Sequence, residues 1–287
     1  MTSNFLYGAN VHANGIRQHY LRYGGRGPAM ILIPGITSPA VTWGFVTERL
    51  ATRFDVYVLD VRGRGLSETG DALDYGIDTC VADIAGLAAA LKLERYVLAG
   101  HSMGARFAIR LAARDSRHIE KLVLIDPPVS GPGRRAYPSN LAWYVESMRE
   151  CREGADVETM RKYCPTWTDE QLRLRAEWLH TCNEKAVIDT FNGFHEDDIH
   201  TDLPKLDVPT LLIAAGKGDV ILPEDEAEIR HLNPSIDIAR VNGAGHMIPW
   251  DDYEGFFAAF GTFLGSRLQD KTTAALATQR VKQLQGA

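Results

Sequence analysis

At 287 residues, with 45% hydrophobic and 24% charged residues, the chain suits one large α/β domain with an insertion and has ample apolar material for a buried core. A net charge of −6 argues against nucleic acid or an anionic membrane surface as the main partner. The N-terminus, M-T-S-N-F-L-Y-G, lacks the basic and apolar regions of a secretory signal, and no apolar run nears the ~20 residues of a membrane span. Cys80, Cys151, Cys164 and Cys182 are scattered without any C-x-x-C, as expected of reduced, buried thiols in a cytoplasmic protein.

Residues 8–23 read as a hairpin, two mixed strands flanking Asn14-Gly15, a strong turn signal. Met30-Ile31-Leu32-Ile33 is a short continuous apolar strand of the buried parallel kind, ending at Pro34-Gly35-Ile36-Thr37. A helix is expected over 41–51 and a strand over Asp55 to Leu59, which empties into the loop Asp60-Val61-Arg62-Gly63-Arg64-Gly65-Leu66-Ser67. A helix over about 77–91 precedes a strand from Tyr96, then a helical pattern through Ala105, Phe107, Ala108, Ile109, Leu111 and Ala112. The next strand, Ile119 to Ile125, delivers Asp126. This alternation means a parallel sheet flanked on both faces by helices, with its site at the C-terminal ends of the strands.

The alternation stops over 127–200, which opens with Pro127-Pro128 and Gly131-Pro132-Gly133 and continues as amphipathic helices, one starting at the capping box Thr168-Asp169-Glu170-Gln171. It is expected to form a helical lid between two halves of a core, 1–126 and 201–267. Strands resume at Pro209 to Ala214 and at Ile236 to Val241, and a last helix runs from about Trp250 to Phe263. The tail, 268–287, lacks a core stripe and is expected to be frayed or disordered. Nothing in the chain indicates an oligomeric state.

The chemistry centres on Gly100-His101-Ser102-Met103-Gly104, a G-x-S-x-G pentapeptide between strand and helix. In that setting it is the nucleophile elbow of α/β-hydrolases, which lifts the serine hydroxyl clear of the sheet at a helix N-terminus. His246, in the glycine-flanked loop Gly243-Ala244-Gly245-His246 after the last strand, has the setting of a general base. Two strand-end carboxylates lie between serine and histidine, Asp126 and Asp219, and residue patterning alone does not choose between them. The oxyanion donors of this architecture fall on the backbone N–H groups of Met103 and Ile36. Such chemistry needs neither metal nor cofactor. His195 and His200 imitate the zinc motif H-E-x-x-H, but five positions apart they leave one helical face, so no metal site is expected. Gly63-Arg64-Gly65 lacks the spacing of a dinucleotide loop.

Beyond these motifs, the chain resembles the N-formylmaleamate deformylases, α/β-hydrolases of aerobic nicotinate catabolism. The resemblance rests on N-G-I-R-Q-H-Y-L-R-Y-G-G (14–25), P-G-I-T-S-P-A (34–40), L-D-V-R-G-R-G-L-S (59–67) and G-H-S-M-G-A-R-F-A-I-R (100–110). It extends through D-P-P-V-S-G-P-G-R-R-A-Y-P-S (126–139), R-A-E-W-L-H-T-C (175–182) and A-G-H-M-I-P-W-D-D (244–252), and stops before the tail. It implies Ser102 as nucleophile, His246 as base and Asp126 as acid, since the family position matching Asp219 is not reliably acidic. It also implies a small anionic substrate, whose carboxylate needs a cation. Arg106, Arg134, Arg135 and Arg175 are the candidates, with Trp43, Trp143, Trp178 and Trp250 as possible walls. The same parts would also suit a carbon–carbon bond hydrolase of ring-cleavage products, a carboxylesterase or enol-lactonase, or a non-catalytic receptor.

Overall fold

Asn14 and Gly15 turn the first hairpin because both hold left-handed backbone, φ 48° and 76°. The hairpin joins β1 (Phe5–Ala13) to β2 (Ile16–Tyr23) and begins earlier than the apolar pattern suggests. This is a computed structural model, which describes residues 3–265. The expected tail at 268–287 lies outside the described residues.

The short apolar runs become β3 (Ala29–Ile33), β4 (Asp55–Leu59), β5 (Tyr96–His101), β6 (Ile119–Ile125), β7 (Thr210–Ala215) and β8 (Ile236–Val241). They form one eight-stranded sheet in the order β1-β2-β4-β3-β5-β6-β7-β8. Only the pairings of β1 with β2 and of β2 with β4 are antiparallel. Every residue of β5 and β7 is buried, which is why these strands read as unbroken apolar runs rather than alternating ones.

Between the strands lie α1 (Gly44–Leu50), α2 (Ile77–Ala90) and α3 (Met103–Arg114), α1 being preceded by a 3-10 turn, Ala40–Trp43. Helix α3 packs on β3, β5 and β6. Residues 127–200 hold α4 (Leu141–Arg152), α5 (Val157–Arg161), α6 (Asp169–Trp178) and α7 (Glu184–Glu196), and no strand. Thr168 and Gln171 close the expected capping box at the start of α6. A helix missed by patterning, α8 (Pro223–Leu232), joins β7 to β8. The expected last helix is two, α9 (Ile248–Asp251) and α10 (Tyr253–Leu264), because Asp252 leaves helical geometry and its side chain caps α10 through Gly255 N–H. The four cysteines are buried and unbridged, and burial pushes the Cys80 and Cys182 thiols up to about 12.

Candidate active site

Ser102 follows β5 directly and is held at φ 53° and ψ −115°, a conformation that side-chain-bearing residues adopt only under strain. The sheet ladder enforces it, since Ser102 N–H donates to Ile125 O at 2.8 Å. The flanking glycines permit it. A Cβ on Gly104 would lie 2.2 Å from Ile33 O, and one on Gly100 would lie 2.3 Å from Gly104 O. The chain therefore doubles back with α3 hard against β3, and Ser102 stands at the helix N-terminus.

Asp126 is placed in the same way one strand over. Its N–H donates to Ile213 O at 2.8 Å, continuing the ladder past β6, and its carboxylate is fully buried. Asp126 Oδ1 accepts from Ala215 N–H at 3.0 Å, which leaves Oδ2 for His246 Nδ1 at 2.7 Å. His246 Nε2 lies 3.0 Å from Ser102 Oγ. With Nδ1–H given to the carboxylate, Nε2 is the acceptor, the tautomer needed to take a proton from the serine. Of the two strand-end carboxylates, it is Asp126 that the imidazole meets. Asp219 is exposed on the cavity rim, whereas the imidazole is engaged by Asp126.

Supporting contacts hold the loops. His101 donates from Nε2 to His246 O at 3.1 Å, and the two rings lie 5.0 Å apart. Burial, and then the neighbouring His246, push His101 down to about 3, so it is a neutral buttress. Arg64, in the glycine- and arginine-rich loop, donates from Nε to Ile36 O at 3.1 Å. Asp60 Oδ1 accepts from Ala40 N–H at 2.6 Å. That loop thus braces the segment that carries Ile36. Among the described residues, the Ile36 and Met103 N–H groups have no acceptor in the protein.

A cavity of about 280 Å³ opens over Ser102, walled by Gly35, Ile36, His101, Tyr137, Trp143 and Met247, among others. Past His246, Trp143 and Met247 lies a second cavity of about 500 Å³, reaching Trp167, Arg175 and Trp250. Most of the candidate cations do not reach either one. Arg106 is a correction: only 1% exposed, it gives hydrogen bonds to four backbone carbonyls, those of Pro128, Ser130, Gly193 and Asp197, and so ties β6 to α7. Arg135 is likewise committed, to Asp219 O, Val220 O and the Asp225 carboxylate, and Arg134 pairs with Glu228. Arg175 does line the second cavity, as do Trp143 and Trp250. Trp43 lies behind Trp250 in the core, and Trp178 lines neither cavity. His195 faces Tyr137, whose N–H donates to its Nε2, and among the described residues no His, Cys, Asp or Glu cluster is arranged for a metal.

One site residue escaped sequence reasoning. Tyr137, from the segment before α4, brings its hydroxyl to 3.3 Å from His246 Nε2 and 3.3 Å from Tyr144 Oη. Nothing in its local pattern separates it from any other loop tyrosine.

Residues 30–259 match the model of the alpha/beta hydrolase family. The chain belongs to that family. It is 64% identical, over 91% of its own length and 98% of the relative's, to N-formylmaleamate deformylase of Pseudomonas putida. The solved N-formylmaleamic acid deformylase of Pseudomonas putida S16 superposes with a TM-score of 0.85 at 58% identity, covering 88% of this chain and 99% of that one. A more distant relative, the 2-(acetamidomethylene)succinate hydrolase of Mesorhizobium japonicum, is 28% identical over 79% of this chain and 84% of its own. No described helix is long and apolar enough to cross a membrane.

Proposed function

We propose that the chain is an N-formylmaleamate deformylase, hydrolysing the formyl C–N bond of N-formylmaleamate to maleamate and formate in nicotinate breakdown. The observation that carries this is the 64% identity over 98% of the deformylase of that name, which extends through the helical insertion as well as the core. In this reading Ser102, His246 and Asp126 are the triad, and the Ile36 and Met103 N–H groups form the oxyanion hole. Residues 127–200 are a lid on a core made of 1–126 and 201–267. The enzyme is cytoplasmic and acts on a small anionic substrate, with neither nucleic acid nor membrane as a partner.

His246 takes the Ser102 proton on Nε2 as Oγ attacks the formyl carbon. The developing oxyanion is held by the two backbone N–H groups, each worth about 2.7–4 kcal/mol to the transition state. The C–N bond then breaks, and the proton on His246 passes to the departing nitrogen. A second carbonyl flanks that nitrogen and spreads its charge, so maleamate leaves far more readily than a simple amine. Water, deprotonated by His246, attacks the formyl-serine and releases formate. Asp126 stabilises the imidazolium in both halves without itself taking the proton.

Formate release by the purified protein from N-formylmaleamate tests the reading, with a ring-cleavage product, an enol-lactone and a simple ester as competing substrates. Ser102→Ala should abolish turnover. Full activity in that variant would sink the mechanism, and a protein that binds the substrate without releasing formate would be a receptor.

A further inference from the structure

The deformylase reading supplies a substrate whose carboxylate must be paired when water is excluded. Three of the four candidate arginines are already engaged: Arg106 by backbone carbonyls, Arg134 by Glu228 and Arg135 by Asp225. Arg175 is different. It is 5% exposed, it lines the second cavity from α6, and its Nε and Nη2 are buried without a hydrogen-bond partner among the described residues. Its guanidinium lies over the rings of Trp143 and Trp167, 5.3 and 5.7 Å from their centroids. Stacked aromatics hold the planar group in one orientation but accept none of its N–H bonds.

The two orphaned nitrogens form one edge of the guanidinium, the edge that meets a carboxylate side-on with two parallel hydrogen bonds. This protein uses the same edge elsewhere. Arg22 Nε and Nη2 bind the two oxygens of Asp55 at 2.9 and 2.7 Å, and Arg62 binds Asp83 through the same pair of atoms. The other charges facing the cavity do not satisfy Arg175. Asp251 is spent on Gly245 N–H and the Thr166 hydroxyl, and Lys217 is a further cation, exposed at the mouth. Trp143, His246 and Met247 wall both this cavity and the one over Ser102, so a ligand with its formyl group at the serine can extend past the histidine toward Arg175.

We propose that the Nε–Nη2 edge of Arg175 is the carboxylate anchor of the active site, so that the enzyme selects N-formyl amides bearing a carboxylate on a short acyl chain. The proposal rests on the deformylase reading and narrows it to one recognition residue. Because α6 also touches the turn at Ala40–Trp43, just after the oxyanion loop, a carboxylate on Arg175 fastens the insertion over the site.

The test compares N-formylmaleamate with N-formylacetamide, a neutral formyl imide without the carboxylate, in wild type, Arg175→Gln and Arg175→Lys. The readout is the ratio of kcat/KM for the two substrates. In wild type it should strongly favour the carboxylate. Arg175→Gln should lower it by about a hundredfold, mainly through KM for N-formylmaleamate, and Arg175→Lys by about tenfold, because an ammonium keeps the charge but not the fork. An unchanged ratio, or equal losses on both substrates, would make Arg175 a packing residue and overturn the proposal. If Arg175→Gln folds poorly by thermal melt, the lysine variant decides by the same criterion. Wild type that releases formate from neither substrate refutes the deformylase reading itself, and the anchor falls with it.

Discussion

Replacing Asp126 by asparagine is the sharpest probe of the triad, because the structure leaves the amide only two orientations. With its oxygen on the Ala215 side, the NH₂ faces His246 Nδ1, now 2.7 Å from a donor instead of an acceptor. Nδ1 must then accept, the ring proton moves to Nε2, and Nε2 can no longer take the Ser102 proton. That tautomer error costs about 10⁴ in kcat in serine hydrolases. In the flipped orientation the oxygen still serves His246, but the NH₂ meets Ala215 N–H, and two donors face each other in a fully buried site. An unsatisfied buried donor costs about 1–3 kcal/mol, roughly 5- to 150-fold if it is felt only in the reactive arrangement. Asp126→Asn should therefore lower kcat by between about 5-fold and about 10⁴-fold, with KM little changed. Asp219→Asn, at an exposed rim position, should cost less than about threefold. Steady-state formate release, coupled to a formate dehydrogenase, measures both. A large loss confined to Asp219→Asn would refute the assignment of the acid.

Three further outcomes follow from the same geometry. Tyr137→Phe should lower kcat about tenfold, the worth of one hydrogen bond near the reacting atoms, and an unchanged kcat would make the hydroxyl a bystander. Arg106→Met should leave four backbone carbonyls without their donor and cost about 3 kcal/mol in urea unfolding, and a stability within error of wild type would contradict its role as a clamp. His101 is pushed by burial to about 3 in the folded protein, so between pH 3 and its unfolded value of 6.5 only the unfolded chain binds its proton. Stability should fall as pH drops through that window. His101→Gln should reduce proton uptake on unfolding near pH 5 by about one, seen as a shallower dependence of stability on pH, and an unaltered slope would show that His101 is not buried neutral.

Much of this was legible in the chain itself. Glycines at 100 and 104 around Ser102, an apolar run before and a 3.6-residue pattern after are local signals, because the strain and close approach they permit arise within a few residues. The parallel strands read clearly for the same reason: strands buried on both faces are written as short continuous apolar runs. Local patterning failed where a role depends on partners far along the chain. Arg106 and Arg175 look alike as buried-helix arginines, yet one is saturated by carbonyls from two other segments and the other is left with a bare edge over two tryptophans. Tyr137 reaches His246 across 109 positions, and no periodicity encodes that.

The choice between Asp126 and Asp219 shows the division most plainly. Sequence alone determined that a serine, a histidine and a strand-end carboxylate were present in the chain order of this fold, since each type follows from its own neighbours. Residue patterning left the two carboxylates level, and in the tertiary structure it is Asp126 that meets the imidazole. The hydrogen-bond ladder from β6 to β7 holds Asp126 buried beneath the His246 loop, while Asp219 is left at the solvent-facing rim, and only a carboxylate held against Nδ1 can fix the tautomer.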